Sequence, residues 1–344
     1  MKMRSFCRVL AGVTAVSFLT VCYRLTAVTD VKRDTSRAGP QLLMDHFHFI
    51  DTRMAEEVAD GASLHRSHSS SLGRRNSNAS QQCQEWVSRA AKPPYFLTAV
   101  LLVRIYEKDK AKLTTRELRQ WLQYMRYAGV EHVYVYDAWA DESESQLKLL
   151  DVFLREGFIT YVDWHTHNPY TTRGTMVAAY QHCIDNYSKE NHWQVSIDLD
   201  EYPFSLKDTD PGFLYRFVKH FSNSHPQLSE ITMQNYLFLG KQLDRELLID
   251  RLLRRTHREA NQLVKPIYMP KDVSAQIHHN HLKRGRSMNA PSSELRMNHY
   301  WGARLQNWGE DTPEILAKTE SDYSMQPIIA SFKGCETYVR PYLS

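Results

Sequence analysis

Four consecutive residues, Asp198-Leu199-Asp200-Glu201, carry the densest chemistry in this 344-residue sequence. Two aspartates flanking one apolar residue at the end of a strand converge as the strand gives way to a loop. Carboxylate oxygens so placed suit hard cations such as manganese or magnesium. Such ions keep open positions that a diphosphate fills, and they then neutralise charge on a departing diphosphate. Asp-x-Asp alone is a common string in solvated loops, so its position must give it meaning.

Other polar residues have two readings each. Lys265 is either a solvated charge or a phosphate contact, and Asp137 is either a strand-end turn former or part of a ligand site. His278, His279 and His281 suggest zinc, but no cysteine pair stands near and the spacing matches no closed site. A surface or phosphate-facing role suits them better.

The elements that must position these residues follow from periodicity. Phe96 to Ile105 is a near-continuous apolar run, the mark of a strand buried on both faces. Thr114-Thr115 open a helix with Leu118, Trp121, Leu122 and Met125 on one face, stopped by Gly129. Val130–Tyr136 is a second strand, ending at Asp137. Ser145–Glu156 reads as a second helix, Phe158–Val162 as a third strand, and Met176, Ala179, Tyr180, Cys183, Ile184 and Tyr187 mark a third helix. Trp193–Leu199 alternates as a fourth strand. Strands alternating with helices predict an α/β fold, with a mainly parallel sheet flanked by helices. Ligands in such sheets bind beyond the carboxyl ends of the strands, where Asp137 and the acidic cluster stand.

Further along, Asp210-Pro211 open a helix through Phe221, and Glu230–Phe238 reads as a strand. Leu243–Arg258 reads as a helix with a basic face. Lys265–Met269 and Val273–His278 read as strands, followed by a loop around Arg284-Gly285-Arg286.

The N-terminus reads as an address. Lys2, Arg4 and Arg8 precede an apolar segment, 9–28, long enough to span a bilayer with Arg24 snorkelling to the interface. The same pattern also fits a cleavable signal peptide. Positive charge before the segment predicts a cytosolic tail, 1–8, and a lumenal remainder. Residues 29–94 lose apolar periodicity and read as a flexible stem, leaving 95–340 as the catalytic domain. Together these features predict a single-pass type II protein of the Golgi membrane. Asn78-Ala79-Ser80 and Asn186-Tyr187-Ser188 are glycosylation acceptors. Of five cysteines, Cys83, Cys183 and Cys335 follow the address and permit at most one bridge among themselves. The formal charge of +4, with no basic block interleaved with aromatics, argues against a nucleic-acid partner.

From about Ala99 to Asn307 an ordered set of residues runs through the chain: Val103-Arg104 with Glu107, Val130, Val133-Tyr134-Val135-Tyr136-Asp137, Cys183 and Trp193. Asp198-Leu199-Asp200-Glu201-Tyr202, Lys265 with Pro266 and Pro270, and His299-Tyr300 complete it. In the order and spacing of these residues the stretch resembles glycosyltransferase family 92. The resemblance implies a GT-A-like nucleotide-sugar-binding fold. It implies Mn2+ (or Mg2+) and a UDP-sugar donor, with transfer of galactose to a glycan on glycoproteins or glycolipids and inversion at the anomeric carbon. By the same implication Asp198 and Asp200 hold the metal and diphosphate. Arg104 and Asp137 contact the nucleotide, and His299 adds a ligand or phosphate contact. An inverting transfer also needs a base for the acceptor proton, and Glu310, Asp311 and Glu201 are the candidate acids. After Tyr300 the run Trp301 to Gln306 departs from the family pattern, which motivates an alternative: an inactive lumenal protein that binds glycans or partners on the same fold. A secreted carbohydrate-binding module is a third reading, and follows if the N-terminal segment is cleaved.

Overall fold

Period-two alternation in a single strand, β1 (Tyr95–Val103), sorts the interior into two layers. Leu97, Ala99, Leu101 and Val103 face one hydrophobic cluster, while Val100 and Leu102 face another. A helix covers each side. The first, α1 (Thr115–Ala128), packs Leu118, Trp121, Leu122 and Met125 into the larger cluster. It begins at a capping box between Thr114 and Glu117 and ends at Gly129, whose φ of 103° is left-handed. In this computed structural model the described residues are 81, 83–86, 92–105, 113–167, 172–259, 264–304 and 311–336.

From β1 the sheet grows both ways. β2 (His132–Asp137) lies parallel to it on one side, with β3 (Ile159–Asp163) parallel beyond. β4 (Asn191–Ser196) lies parallel on the other side. The connection from β2 to β3 carries a short helix, α2 (Asp151–Arg155). Between β3 and β4 runs α3 (Thr172–Tyr187), which places Met176, Ala179, Tyr180, Cys183 and Ile184 in the second cluster. Four parallel strands with helices on both faces match the expected parallel sheet flanked by helices.

Beyond β4 the sheet is mixed rather than mainly parallel. After β5 (Glu201–Phe204) and helix α4 (Phe213–Ser224) comes the long β6 (Leu228–Leu239). β7 (Arg254–Thr256) pairs antiparallel to the end of β6. β8 (Lys265–Tyr268) is wedged antiparallel between β4 and β6. β9 (Val273–Ser274) and β10 (His281–Leu282) form a separate two-stranded ribbon, while β11 (Arg286–Asn289) runs parallel to the start of β6. β12 (Arg296–His299) lies between β5 and β6, antiparallel to the first and parallel to the second. After α5 (Trp301–Arg304) and α6 (Pro313–Lys318), β13 (Thr319–Ser321) closes the edge on β7, and α7 (Gln326–Glu336) follows.

One helical expectation fails for a physical reason. In Leu243–Arg258, Leu247, Leu248, Ile249 and Leu252 are all buried, leaving no single helical stripe. The segment makes a 3-10 turn at Leu248–Asp250 and then β7. Its arginines find partners along the way: Arg251 on Glu117, Arg254 on Thr319 and Arg255 on Asp322. Ser145–Glu156 is helical as expected from Leu147 to Arg155, beginning as a 3-10 turn, Leu147–Leu150, that runs into α2. Of Val273–His278, β9 takes up two residues.

Cys83 and Cys335 form a disulfide, with Cα atoms 5.7 Å apart, and Cys183 is a buried free thiol. The tail 1–8, the segment 9–28 and Asn78 lie outside the described residues, as does most of the stem. No helix among the described residues is long and apolar enough to cross a membrane.

Candidate active site at the carboxyl end of the parallel strands

β4 ends at Ser196, and the chain turns through Asp198, Leu199 and Asp200 into β5. The turn is closed by Glu201 N–H donating to the Asp198 carbonyl at 3.1 Å. Helix α1 holds its far side, with Trp121 Nε1 donating to the Glu201 carbonyl at 3.0 Å. Three further strands deliver side chains. Lys265 opens β8 beside the end of β4, His299 closes β12 in register with Glu201, and Asn235 comes from β6.

The result is one connected network of charges. Lys265 Nζ lies 2.9 Å from Asp198 Oδ2 and 3.1 Å from Glu201 Oε2. His299 Nε2 lies 3.2 Å from Asp200 Oδ2, and its Nδ1 lies 3.5 Å from Glu201 Oε1. Asn235 Nδ2 approaches His299 Nδ1 at 3.2 Å, and Tyr180 O–H donates to Asp198 Oδ1 at 3.4 Å. Glu201 is thus the central member, also accepting the Asp198 N–H at 2.9 Å. Asp200, Glu201, Lys265 and His299 are buried, whereas the Asp198 side chain is 19% exposed and is the network's window to solvent.

Burial at this level sets the electrostatics. Desolvation pushes the Glu201 carboxyl above its ordinary range, and the Asp198 and Asp200 charges add to that while Lys265 and His299 oppose it. Desolvation works against the Lys265 ammonium, but Asp198 and Glu201 outweigh it and raise its pKa. The same contest ends the same way at His299, where Asp200 and Glu201 overcome burial. Lys265 and His299 thus each bridge two of the three carboxylates, with Glu201 shared between them.

The donor set fits a cation only as an open site. Asp200 Oδ2 and His299 Nε2 stand 3.2 Å apart, close to the roughly 3 Å between neighbouring donors on a small octahedral ion. Among the described residues no group of three or more His, Cys, Asp or Glu could hold a metal alone. Further positions would have to come from substrate oxygens.

Of the other sequence candidates, His278 borders this network, within electrostatic reach of Lys265 and Asp198. Arg104 is half-buried directly after β1. Asp137 is buried at the end of β2, with Oδ2 accepting the Gln146 N–H at 2.7 Å and the Tyr161 O–H at 2.9 Å. Burial lifts its pKa to about 6 against those two hydrogen bonds. Asp311 is exposed and accepts the Lys241 N–H at 2.8 Å. Glu310 lies outside the described residues. His278 is half-buried, its Nδ1 3.2 Å from the Val264 carbonyl, and burial with Lys265 nearby lowers its pKa to about 4. Sequence reasoning missed two members. Tyr180 sits in a helical apolar stripe and reads as core, and Asn235, beside Gln234, interrupts a largely apolar strand, a signal that was there to be used.

With this geometry in view, the chain can be compared with known proteins. A buried carboxylate cluster stands beyond the ends of the parallel strands of an α/β fold, and the family match makes the chain a glycosyltransferase. It belongs to glycosyltransferase family 92, whose model matches residues 111–333. No curated protein matches. Solved structures with some likeness include S. aureus TarS 1-349, at 11% identity and a TM-score of 0.38 over 72% of this chain and 73% of that one. The same TarS segment in complex with UDP gives 11% and 0.37, over 69% and 65%. A putative glucose-1-phosphate thymidylyltransferase from Bacillus anthracis gives 11% and 0.31, over 51% and 72%. Likenesses this distant bear on neither substrate nor mechanism.

Proposed function

We propose that this glycosyltransferase moves a hexose, galactose, from a UDP-sugar to a glycan acceptor on glycoproteins or glycolipids of the secretory pathway. The observation that carries the reading is the buried network of Asp198, Asp200, Glu201, Lys265 and His299, open to solvent through Asp198. In an inverting transfer the acceptor oxygen attacks the anomeric carbon from the face opposite the diphosphate. The bond to the diphosphate breaks, its electron pair stays on the phosphate oxygen, and the acceptor proton passes to a base. Mn2+ or Mg2+, with Asp198 and Asp200 as its protein ligands, His299 beside Asp200 and substrate oxygens at the remaining positions, would offset the charge on the departing diphosphate. Lys265 orients Asp198 through its contact with Oδ2 at 2.9 Å and adds a second positive charge beside it. Glu201 is sealed and already engaged by Lys265 and the Asp198 N–H, so it serves as a pillar rather than the base.

We infer further that the site faces the Golgi lumen, behind a type II membrane anchor read from the sequence of residues 9–28. The Cys83–Cys335 disulfide supports an oxidising compartment. The sequon residue Asn186 supports it too, being exposed in the last turn of α3. Incubating the purified protein with UDP-galactose, manganese and a panel of glycans tests the reading. Transfer that disappears in Asp198→Ala and Asp200→Ala is the expected result. Absence of both UDP binding and transfer would leave the inactive binding protein as the better account.

A further inference from the structure

A second charged feature lies at the other end of the sheet. A cavity of about 450 Å³ opens where β6 begins and β8 ends, lined among others by Ser229, Lys271, Asp272, Arg284, Gly285 and Arg286. Lys265 at the start of β8 belongs to the acidic network, and Met269, just past its end, lines this cavity. Four residues of extended chain separate the two by about 13 Å. The cavity is therefore no part of the donor site.

Its construction is specific. Asp272, buried, uses one carboxylate oxygen to accept the Ser229 O–H at 3.0 Å and the other to pair with Arg284 Nε. That contact holds the Arg284 guanidinium in the lining. Gly285 follows with φ 71°, where a Cβ would collide with Ser229, so the loop can close down on β6 only with glycine there. Arg286 opens β11 on the same wall, its N–H donating to the Gln227 carbonyl at 3.1 Å. The one carboxylate of the lining is thus spent on Arg284. Lys271 and Arg286 are exposed, and among the described residues neither has a carboxylate partner.

We propose that this cavity is a saccharide subsite that takes the acidic substituent of a glycan, a sulfate, phosphate or carboxylate. Two guanidinium groups offer forked donors that match a planar or tetrahedral oxyanion, and Lys271 adds a point charge. The volume lies within the ~300–1,000 Å³ of small-molecule sites, far above the ~30 Å³ share of one water, so it suits a sugar ring with its acidic group rather than a bare ion. A saccharide is the occupant because the chain belongs to a glycosyltransferase family. Position at the far end of the sheet makes it a holding site for an acidic glycan, separate from the reacting centre.

The test is a titration of the full-length protein with a heparin-derived tetrasaccharide and its desulfated counterpart, at an ionic strength of about 0.15 M. The sulfated saccharide is expected to bind at least about tenfold more tightly than the desulfated one, the equivalent of one good charge-assisted contact. Lys271→Gln/Arg286→Gln should lose that advantage with its melting temperature unchanged, since both residues are exposed. Lys148→Gln/Arg155→Gln, which removes two exposed cations elsewhere, should keep it. Equal affinity of the Lys271/Arg286 variant and the wild type overturns the proposal, and so does equal loss in the Lys148/Arg155 variant. Inorganic sulfate binding as tightly as the tetrasaccharide overturns it as well, because the cavity would then recognise an anion only. UDP is titrated in parallel; its failure to bind would count against the reading of the acidic network and not against this one.

Discussion

At the residue scale the decisive group is Lys265, because it neutralises two carboxylates inside the protein. Removing one member of a buried ion network leaves the others uncompensated, at a cost of about 3–5 kcal/mol. Lys265→Met should therefore lower stability by that order and abolish transfer, while Lys265→Met/Asp198→Asn should regain part of the stability and none of the activity. Chemical denaturation of the two variants measures the coupling, and equal stabilities would show that the Lys265–Asp198 contact is not formed. Asp137 gives a second test, in which pH separates two roles. Its folded pKa, about 6, stands above the ordinary 3.8. A carboxyl raised in this way is fully compatible with the fold below pH ~4 and costs stability as pH rises through 6. Asp137→Asn, which keeps an oxygen for the Gln146 N–H and the Tyr161 O–H, should thus match the wild type near pH 4 and exceed it by about 3 kcal/mol at pH 7.5. Retained transfer in that variant would mark Asp137 as the anchor of the turn, and lost transfer with the stability gain intact would mark it as a nucleotide contact. The sequence made the acids and Lys265 visible one by one as polar breaks in apolar runs. It did not reveal that they meet, since β8, β12 and β6 bring Lys265, His299 and Asn235 to β4 through long-range pairings that no local pattern records.

At the element scale, legibility followed how far each element is governed by its own neighbours in sequence. β1, α1 and α3 carry their periodicity within themselves, α1 its start signal and stop as well, and the structure has them where the pattern puts them. Leu243–Arg258 has helical spacing too, but contiguous burial from Leu247 to Ile249 and ion pairs to distant residues decide its shape. The end of α1 shows the difference in a testable way. A Cβ added to Gly129 would lie 2.8 Å from Tyr215 Cβ and 2.9 Å from Gly212 Cα, at a φ that L-residues rarely adopt. Gly129→Ala should therefore cost more than the ~1 kcal/mol typical of a left-handed position alone. Thr114→Ala, which removes only the cap at the other end, should cost about 1 kcal/mol. If thermal unfolding ranks the two in the reverse order, the close approach of α4 to the end of α1 is not as described.

At the scale of the whole molecule, one covalent link joins residues 252 apart in sequence, from Cys83 ahead of β1 to Cys335 in the last helix. Composition left all pairings of Cys83, Cys183 and Cys335 open, because pairing is a property of where the ends of a fold meet. Cys183 is taken out of contention by its place in the second cluster, where burial pushes its thiol up to about 12 and leaves it inert at neutral pH. Cys335 instead packs with Ile328, Ile329 and Phe332 in the main cluster, which also receives Cys83. A bridge closing so long a loop restricts the unfolded chain strongly, and its loss should cost about 2–5 kcal/mol. Cys335→Ser should lower the melting temperature, dithiothreitol should lower that of the wild type by the same amount, and the two treatments together should do no more than either alone. Expression in a reducing cytosol should reproduce the reduced form. A melting temperature indifferent to dithiothreitol would remove the bridge, and with it the strongest structural argument for placing the protein in an oxidising lumen.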